Sequence, residues 1–175
     1  MKVIGLSGWS GAGKTTLLTR LIPHLIAEGL RVSTIKHAHH NFDVDVPGKD
    51  SWLHRQAGAD EVLISSGRRW ALMHELRGAR EPTFTELLAR MSRVDLLIVE
   101  GFKADPHPKI EIHRAANNKP LMFQNDPTIV GIAADIPIST ALPYAHLDDV
   151  PAIARIMRAA AVKVEDVLAH QAAGV

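Results

Sequence analysis

Cysteine is absent from the 175 residues, which excludes a disulfide framework, a thiol nucleophile and a thiolate metal site. No apolar run approaches the roughly 18 residues that a membrane-spanning helix needs. The N-terminal stretch also lacks the charged, apolar and small-residue regions of a signal peptide. Neither sign of charge dominates, because 20 Lys and Arg face 19 Asp and Glu for a net charge of +1. Binding held mainly by bulk charge calls for a larger imbalance, so neither nucleic acid nor membrane is expected as a partner. Aromatic residues are scarce, at 5%, whereas histidine is frequent, at ten. The remaining composition, 46% hydrophobic and 22% charged, is that of a globular chain and not of a disordered, collagen-like or coiled-coil one. The length suits one ordinary domain. The expectation is a single cytoplasmic domain over 1–175, with 163–175 either a last helical turn or a frayed tail.

Apolar β-branched runs alternate with helical patterns, the signature of a mostly parallel sheet with helices on both faces. Lys2 to Ser7 is almost uninterruptedly apolar, as a buried parallel strand should be. A glycine-rich turn follows. Leu17, Leu18, Leu21, Ile22 and Leu25 then recur at helical spacing over Thr15 to Ala27, and Gly29 closes the helix. Arg31 to Ile35 reads as a strand, and Lys36 to Lys49 as a polar loop long enough to suggest function. Asp50 or Ser51 should cap a short helix ending near Gly58. Glu61 to Ser65 and Trp70 to Leu76 read as an antiparallel hairpin. Thr83 with Glu86 forms a capping box for a helix to Met91. Further strands are expected at Val94–Val99, Lys109–His113 and Ile129–Ala133, and a late amphipathic helix at Val150–Ala161.

Gly8-Trp9-Ser10-Gly11-Ala12-Gly13-Lys14-Thr15 fills every fixed position of G-x-x-x-x-G-K-[ST], between a predicted strand and a predicted helix. Each residue type has a separate task. The glycines let backbone N–H groups turn inward as an anion cradle, and the helix N-terminus adds unpaired N–H groups and the positive end of its dipole. Lys14 supplies a positive charge for the β- and γ-phosphates, and the Thr15 hydroxyl suits Mg²⁺. The class is a P-loop nucleotide-binding protein of the three-layer α/β kind.

Such a site needs a carboxylate at the carboxyl end of a neighbouring strand. Val94 to Val99 runs into Glu100-Gly101, which puts Glu100 at that edge to hold the metal or position water. Asp95 stands five residues away, roughly 17 Å along an extended strand. The polar loop offers Asp43 and Asp45, either of which could approach Mg²⁺ when a triphosphate is bound, with Asp45 favoured. The same loop carries His37, His39 and His40, a set that could hold zinc or nickel, or could simply be solvated.

The chain resembles the molybdopterin-guanine dinucleotide biosynthesis adapter proteins, the B proteins of that pathway. The resemblance is carried by Gly8 to Thr16, Ile35-Lys36-His37 through Asp43-Val44-Asp45, and Pro47-Gly48-Lys49-Asp50-Ser51. Gly58-Ala59, Glu100-Gly101-Phe102-Lys103 and Gly131-Ile132-Ala133-Ala134-Asp135 complete it. It implies a homodimeric GTP-binding accessory factor with weak GTPase activity. Such a factor assists the guanylyltransferase that joins GMP to molybdopterin, with molybdenum-enzyme apoproteins as further partners. It also implies that Ser10, Gly11, Ala12, Gly13, Lys14, Thr15 and Thr16 contact phosphates and Mg²⁺, with Glu100 and Asp45 as the strand-end and loop carboxylates. The Asn-Lys-x-Asp element that reads guanine in many GTPases is only echoed, by Asn118-Lys119-Pro120-Leu121. Asp135, just past a strand, could accept from guanine N–H groups instead. Two other classes stay open: a small-molecule kinase whose lid would use Arg68, Arg69, Arg77 and Arg80, and a metallochaperone GTPase built on the three loop histidines.

Overall fold

The computed structural model describes residues 1–38 and 42–173. In chain order the elements are β1 (Lys2–Ser7), α1 (Lys14–Ala27), β2 (Val32–Lys36), α2 (Asp50–Gln56), β3 (Glu61–Ser65), β4 (Trp70–His74) and α3 (Phe84–Arg90). They continue with β5 (Leu96–Glu100), β6 (Lys109–His113), β7 (Ile129–Ala134), β8 (Tyr144–His146), α4 (Val150–Ala160), β9 (Val162–Lys163) and α5 (Val164–Ala173). They divide into two compact units, Met1–His37 with Leu88 onwards, and Ala38–Leu87.

The larger unit is a seven-stranded sheet in the order β2-β5-β1-β6-β7-β8, every neighbour parallel, with β9 added antiparallel to β1. The alternation of strand side chains decides its packing. Ile4, Leu6, Ile98, Ile110 and Ile112 share one buried cluster with Leu17, Leu21 and Leu25 of α1 and Ile153, Ala154 and Met157 of α4. Each fully buried Leu or Ile there contributes about 2 kcal/mol relative to exposure. The Asp149 carboxylate starts α4 by accepting from the Ala152 N–H at 3.0 Å. The short strands β8 and β9 escape sequence reading because three and two residues carry no period. The tail is a regular helix, α5.

The alternate residues of β6, Lys109 and Glu111, are charged and fully buried. Buried charge is tolerated only when hydrogen-bonded, and both are. Lys109 Nζ donates to the Asp105 carbonyl at 2.6 Å and to Thr128 Oγ1 at 2.7 Å. Glu111 accepts from the N–H groups of Met122 and Phe123 at 2.8 and 2.9 Å. These two side chains pin the segments on either side of β6.

His107 is also fully buried, and its Nε2 lies 2.6 Å from where a Cβ on Gly5 would stand, so only glycine fits in β1 at that point. Burial, reinforced by Lys109 and opposed by Asp126, pushes the His107 pKa from 6.5 down to about 4. Between those values the unfolded chain holds a proton that the folded chain rejects, so this residue lowers stability as pH falls through that window. The melting temperature should drop by about 5 °C more over this range than in a His107→Gln variant followed in the same buffers by calorimetry. Parallel pH profiles would remove this assignment.

The smaller unit holds α2 and the antiparallel β3–β4 hairpin. The capping box forms as expected: Thr83 N–H donates to Glu86 at 2.8 Å, and Glu86 N–H to Thr83 Oγ1 at 3.3 Å. Helix α2 departs from expectation at its start. It begins at Asp50 without a side-chain cap. The Ser51 hydroxyl donates instead to Asp45 at 2.8 Å, because the incoming loop brings that carboxylate within reach.

Candidate functional site

The turn after β1 follows from its glycines. Gly8 has φ +150, and a Cβ there would stand 2.5 Å from the Ile112 carbonyl of β6, so a side chain is excluded. Gly13, left-handed, is the N-cap of α1, whose first residue is Lys14. Lys14 Nζ folds inward and donates to the carbonyls of Gly8 at 2.8 Å and Trp9 at 3.1 Å. Partial burial pushes this ammonium below its usual range. Glu100 opposes the shift, and the like charges of Lys103 and Lys36 add to it. A charge held at such a disadvantage is relieved by an incoming anion. Ala12 is buried, while Ser10, Gly11, Thr15 and Thr16 stay exposed around the cradle.

Glu100 stands where the strand reading put it. It pairs in register with Leu6 of β1 on one side and Lys36 of β2 on the other, one residue before the turn at Ser7-Gly8. Its carboxylate is 3.6 Å from Lys36 Nζ and largely shielded from solvent. Asp95 lies at the far end of the same strand, where its carboxylate accepts from Arg31 N–H at 2.8 Å. Beyond Glu100 the backbone is left-handed twice, at Gly101 (φ +95) and Phe102 (φ +50). A Cβ on Gly101 would meet His37 Cβ at 2.6 Å, and the Phe102 ring packs 4.9 Å from the His37 ring. Strain of this kind collects at functional sites.

Three residues that sequence reasoning passed over complete the cradle's rim. Asn117, not the Asn118 of the partial Asn-Lys motif, donates to the Ser10 carbonyl at 3.1 Å. The Arg114 guanidinium reaches within 3.3 Å of the Cβ position on Gly13 and lies 3.6 Å from Asp135. Trp9 donates its indole N–H to the Pro120 carbonyl at 2.8 Å. Only Trp9 carried a signal, as a large aromatic inside a glycine-rich motif. Asp135 is thereby linked to the P-loop through Arg114, but one of its oxygens already accepts from Ala115 N–H at 2.8 Å.

Asp45 belongs to the smaller unit, where its carboxylate accepts from Ser51, from the Val46 N–H and from Arg55. Burial pushes its pKa up, but those hydrogen bonds outweigh it and hold the carboxyl below its usual range. Arg55 also pairs with Asp43 at 2.8 Å and Glu75 at 2.6 Å. His39 and His40 lie outside the described residues. Among the described residues no three His, Cys, Asp or Glu side chains gather as a metal site.

Mg²⁺ suits what is present, because it keeps several waters and needs only one or two protein oxygens beside those of a nucleotide. Thr15 and Glu100 are the donors at the P-loop that could supply them.

A buried parallel strand, a glycine cradle, an inward lysine and a strand-end carboxylate in register beside them define a P-loop protein of the P-loop NTPase fold. A family model described as molybdopterin guanine dinucleotide synthesis protein B matches residues 3–135, and the chain belongs to that family. The molybdopterin-guanine dinucleotide biosynthesis adapter protein of Haemophilus influenzae is 42% identical over 155 residues, covering 87% of this chain and 85% of that protein. That of Escherichia coli K12 is 41% identical, covering 87% and 89%. A crystal structure of molybdopterin-guanine biosynthesis protein B superposes with a TM-score of 0.71 at 26% identity, over 90% of this chain and 98% of the other.

Proposed function

We propose that this protein is a GTP-binding adapter in molybdopterin guanine dinucleotide biosynthesis, hydrolysing GTP slowly and acting through a partner guanylyltransferase. The observation that carries the nucleotide part is the register of Glu100 against Leu6, which sets the acidic strand end beside the cradle that Lys14 closes. In this reading Ser10 to Thr16 hold the phosphates, Thr15 and Glu100 hold Mg²⁺, and Asp135 reads guanine from the end of β7. The pathway role rests on family membership and on the two adapter relatives. Molybdopterin or its dinucleotide and molybdoenzyme apoproteins are the further partners.

The hairpin supports a homodimer, because Leu63, Ile64, Trp70 and Leu72 are exposed on a two-stranded ribbon that has little stability alone. A cytoplasmic setting accords with the lack of cysteine. Among the described residues no helix is long and apolar enough to cross a membrane. The kinase alternative loses two of its lid arginines. Arg77 is spent on the carbonyls of Arg55 and Ala59, and Arg80 on Glu86.

The test is a defined mixture of the guanylyltransferase, molybdopterin, GTP and Mg²⁺. Added protein should stimulate dinucleotide formation, and rapid phosphoryl transfer to a small acceptor without any partner would instead establish a kinase. Asp45→Ala should weaken Mg²⁺·GTP binding by about tenfold and GDP binding by less, since only the triphosphate complex offers the loop a γ-phosphate and its metal. Equal losses in calorimetric titrations would leave Asp45 with its structural bonds to Ser51 and Arg55 alone.

A further inference from the structure

Trp9 occupies the second position of the P-loop, and its ring is fixed by the indole N–H bond to Pro120. Two ammonium groups lie against it, Lys103 Nζ at 5.7 Å and Lys119 Nζ at 5.8 Å from the ring centroid. They arrive from opposite sides of β6 in sequence, one on the segment before it and one on the segment after. Both lysines are exposed, and neither has a carboxylate within 4.0 Å among the described residues.

The two buried charges of β6 hold those segments in place. Lys109 ties down the first at Asp105, and Glu111 ties down the second at Met122 and Phe123. The chain thus buries two charged groups to present two more, both over the Trp9 indole, at the edge of the phosphate cradle. Cations gathered without counter-charge repel one another, and an anionic ligand removes that repulsion. The cradle's own N–H groups, Lys14 and the start of α1 already serve a nucleotide's phosphates. Both ammoniums lie over the indole ring, so a phosphate that draws a flexible lysine onto itself by charge-assisted hydrogen bonds also clears aromatic surface for a flat ring to stack on.

We infer that Trp9, Lys103 and Lys119 form a second ligand site beside the nucleotide, taking a planar heterocycle that carries a phosphate monoester. This rests on the P-loop reading above for the occupant of the cradle. The family's name makes a pterin the natural probe.

The full-length protein, saturated with Mg²⁺ and a non-hydrolysable GTP analogue, is titrated calorimetrically with hydroxymethylpterin phosphate. Unphosphorylated hydroxymethylpterin and inorganic phosphate are titrated in parallel. The expected result is one-to-one binding of the phosphorylated pterin to the loaded protein, about tenfold tighter than either part alone. Combining Lys103→Gln with Lys119→Gln, both exposed and so compatible with folding, should weaken it by about tenfold or more, well beyond any loss of analogue affinity in the same variant. Equal pterin phosphate affinity in the double variant, or displacement of the pterin phosphate by the analogue, would overturn the inference. Failure of the P-loop reading shows up separately, as absence of analogue binding to the unaltered protein. The same pterin titration on the nucleotide-free chain then still decides the role of the lysine pair.

Discussion

Lys14→Ala is expected to reduce GTP affinity by about a hundredfold or more while the protein stays folded. The side chain does two things in the structure. Its ammonium bridges the carbonyls of Gly8 and Trp9, drawing the cradle together from inside. It also brings a cation to a point where burial, Lys103 and Lys36 disfavour one and Glu100 favours it. The first role is worth about 1 kcal/mol per bond to folding, and the second is a standing cost that phosphate oxygens would repay. Removal therefore touches stability slightly and binding severely. Calorimetric titration with Mg²⁺·GTP, beside a thermal melt, separates the two. Unchanged affinity in a folded variant would remove the P-loop reading altogether.

The parts of this protein that could be read from sequence are those whose physics is local. The P-loop is one, because glycine spacing, a strand before it and helical periodicity after it all fall within 27 residues. Glu100 is another, since an apolar run that stops at an acid and a glycine has only one end at which to place it. The Thr83–Glu86 box closes as expected for the same reason. What escaped depends on pairing across the chain. Arg114 matters through its approach to Gly13, and Asn117 through its bond to Ser10, 107 residues away. No local period marks either one. The polar side of β6 carries no local signal either, because nothing in the sequence places charged residues such as Lys109 and Glu111 inside. They are buried because surrounding carbonyl and N–H groups replace water. The division into two units is likewise invisible in composition, since the segment Ala38–Leu87 has no distinctive linker at either end.

Glu100→Gln and Asp95→Asn are expected to separate the two ends of β5. Both remove one negative charge and keep the size of the side chain, so position alone distinguishes them. Glu100 lies in register with Leu6 and Lys36, at the sheet edge where Lys14 senses its charge. Asp95 precedes the strand at its other end and is occupied with Arg31, whose N–H holds its carboxyl below the usual range. An amide at 100 retains hydrogen-bonding capacity but is a far poorer ligand for a hard cation than a carboxylate. It also frees Lys36 from its ion pair and leaves the cradle more positive. Metal-free GTP should therefore bind Glu100→Gln at least as well as the unaltered protein. The tightening that Mg²⁺ provides should shrink by about tenfold to a hundredfold, with slow hydrolysis falling in step. Asp95→Asn should leave both nucleotide titrations unchanged and show only a modest loss in thermal stability. Titrations with GTP in the presence and absence of Mg²⁺ on each variant decide the matter. If Asp95→Asn is the more damaging change, the metal-side carboxylate has been placed at the wrong end of the strand. If Glu100→Gln weakens binding equally with and without Mg²⁺, its role is to balance Lys14 and Lys36 and not to hold a metal.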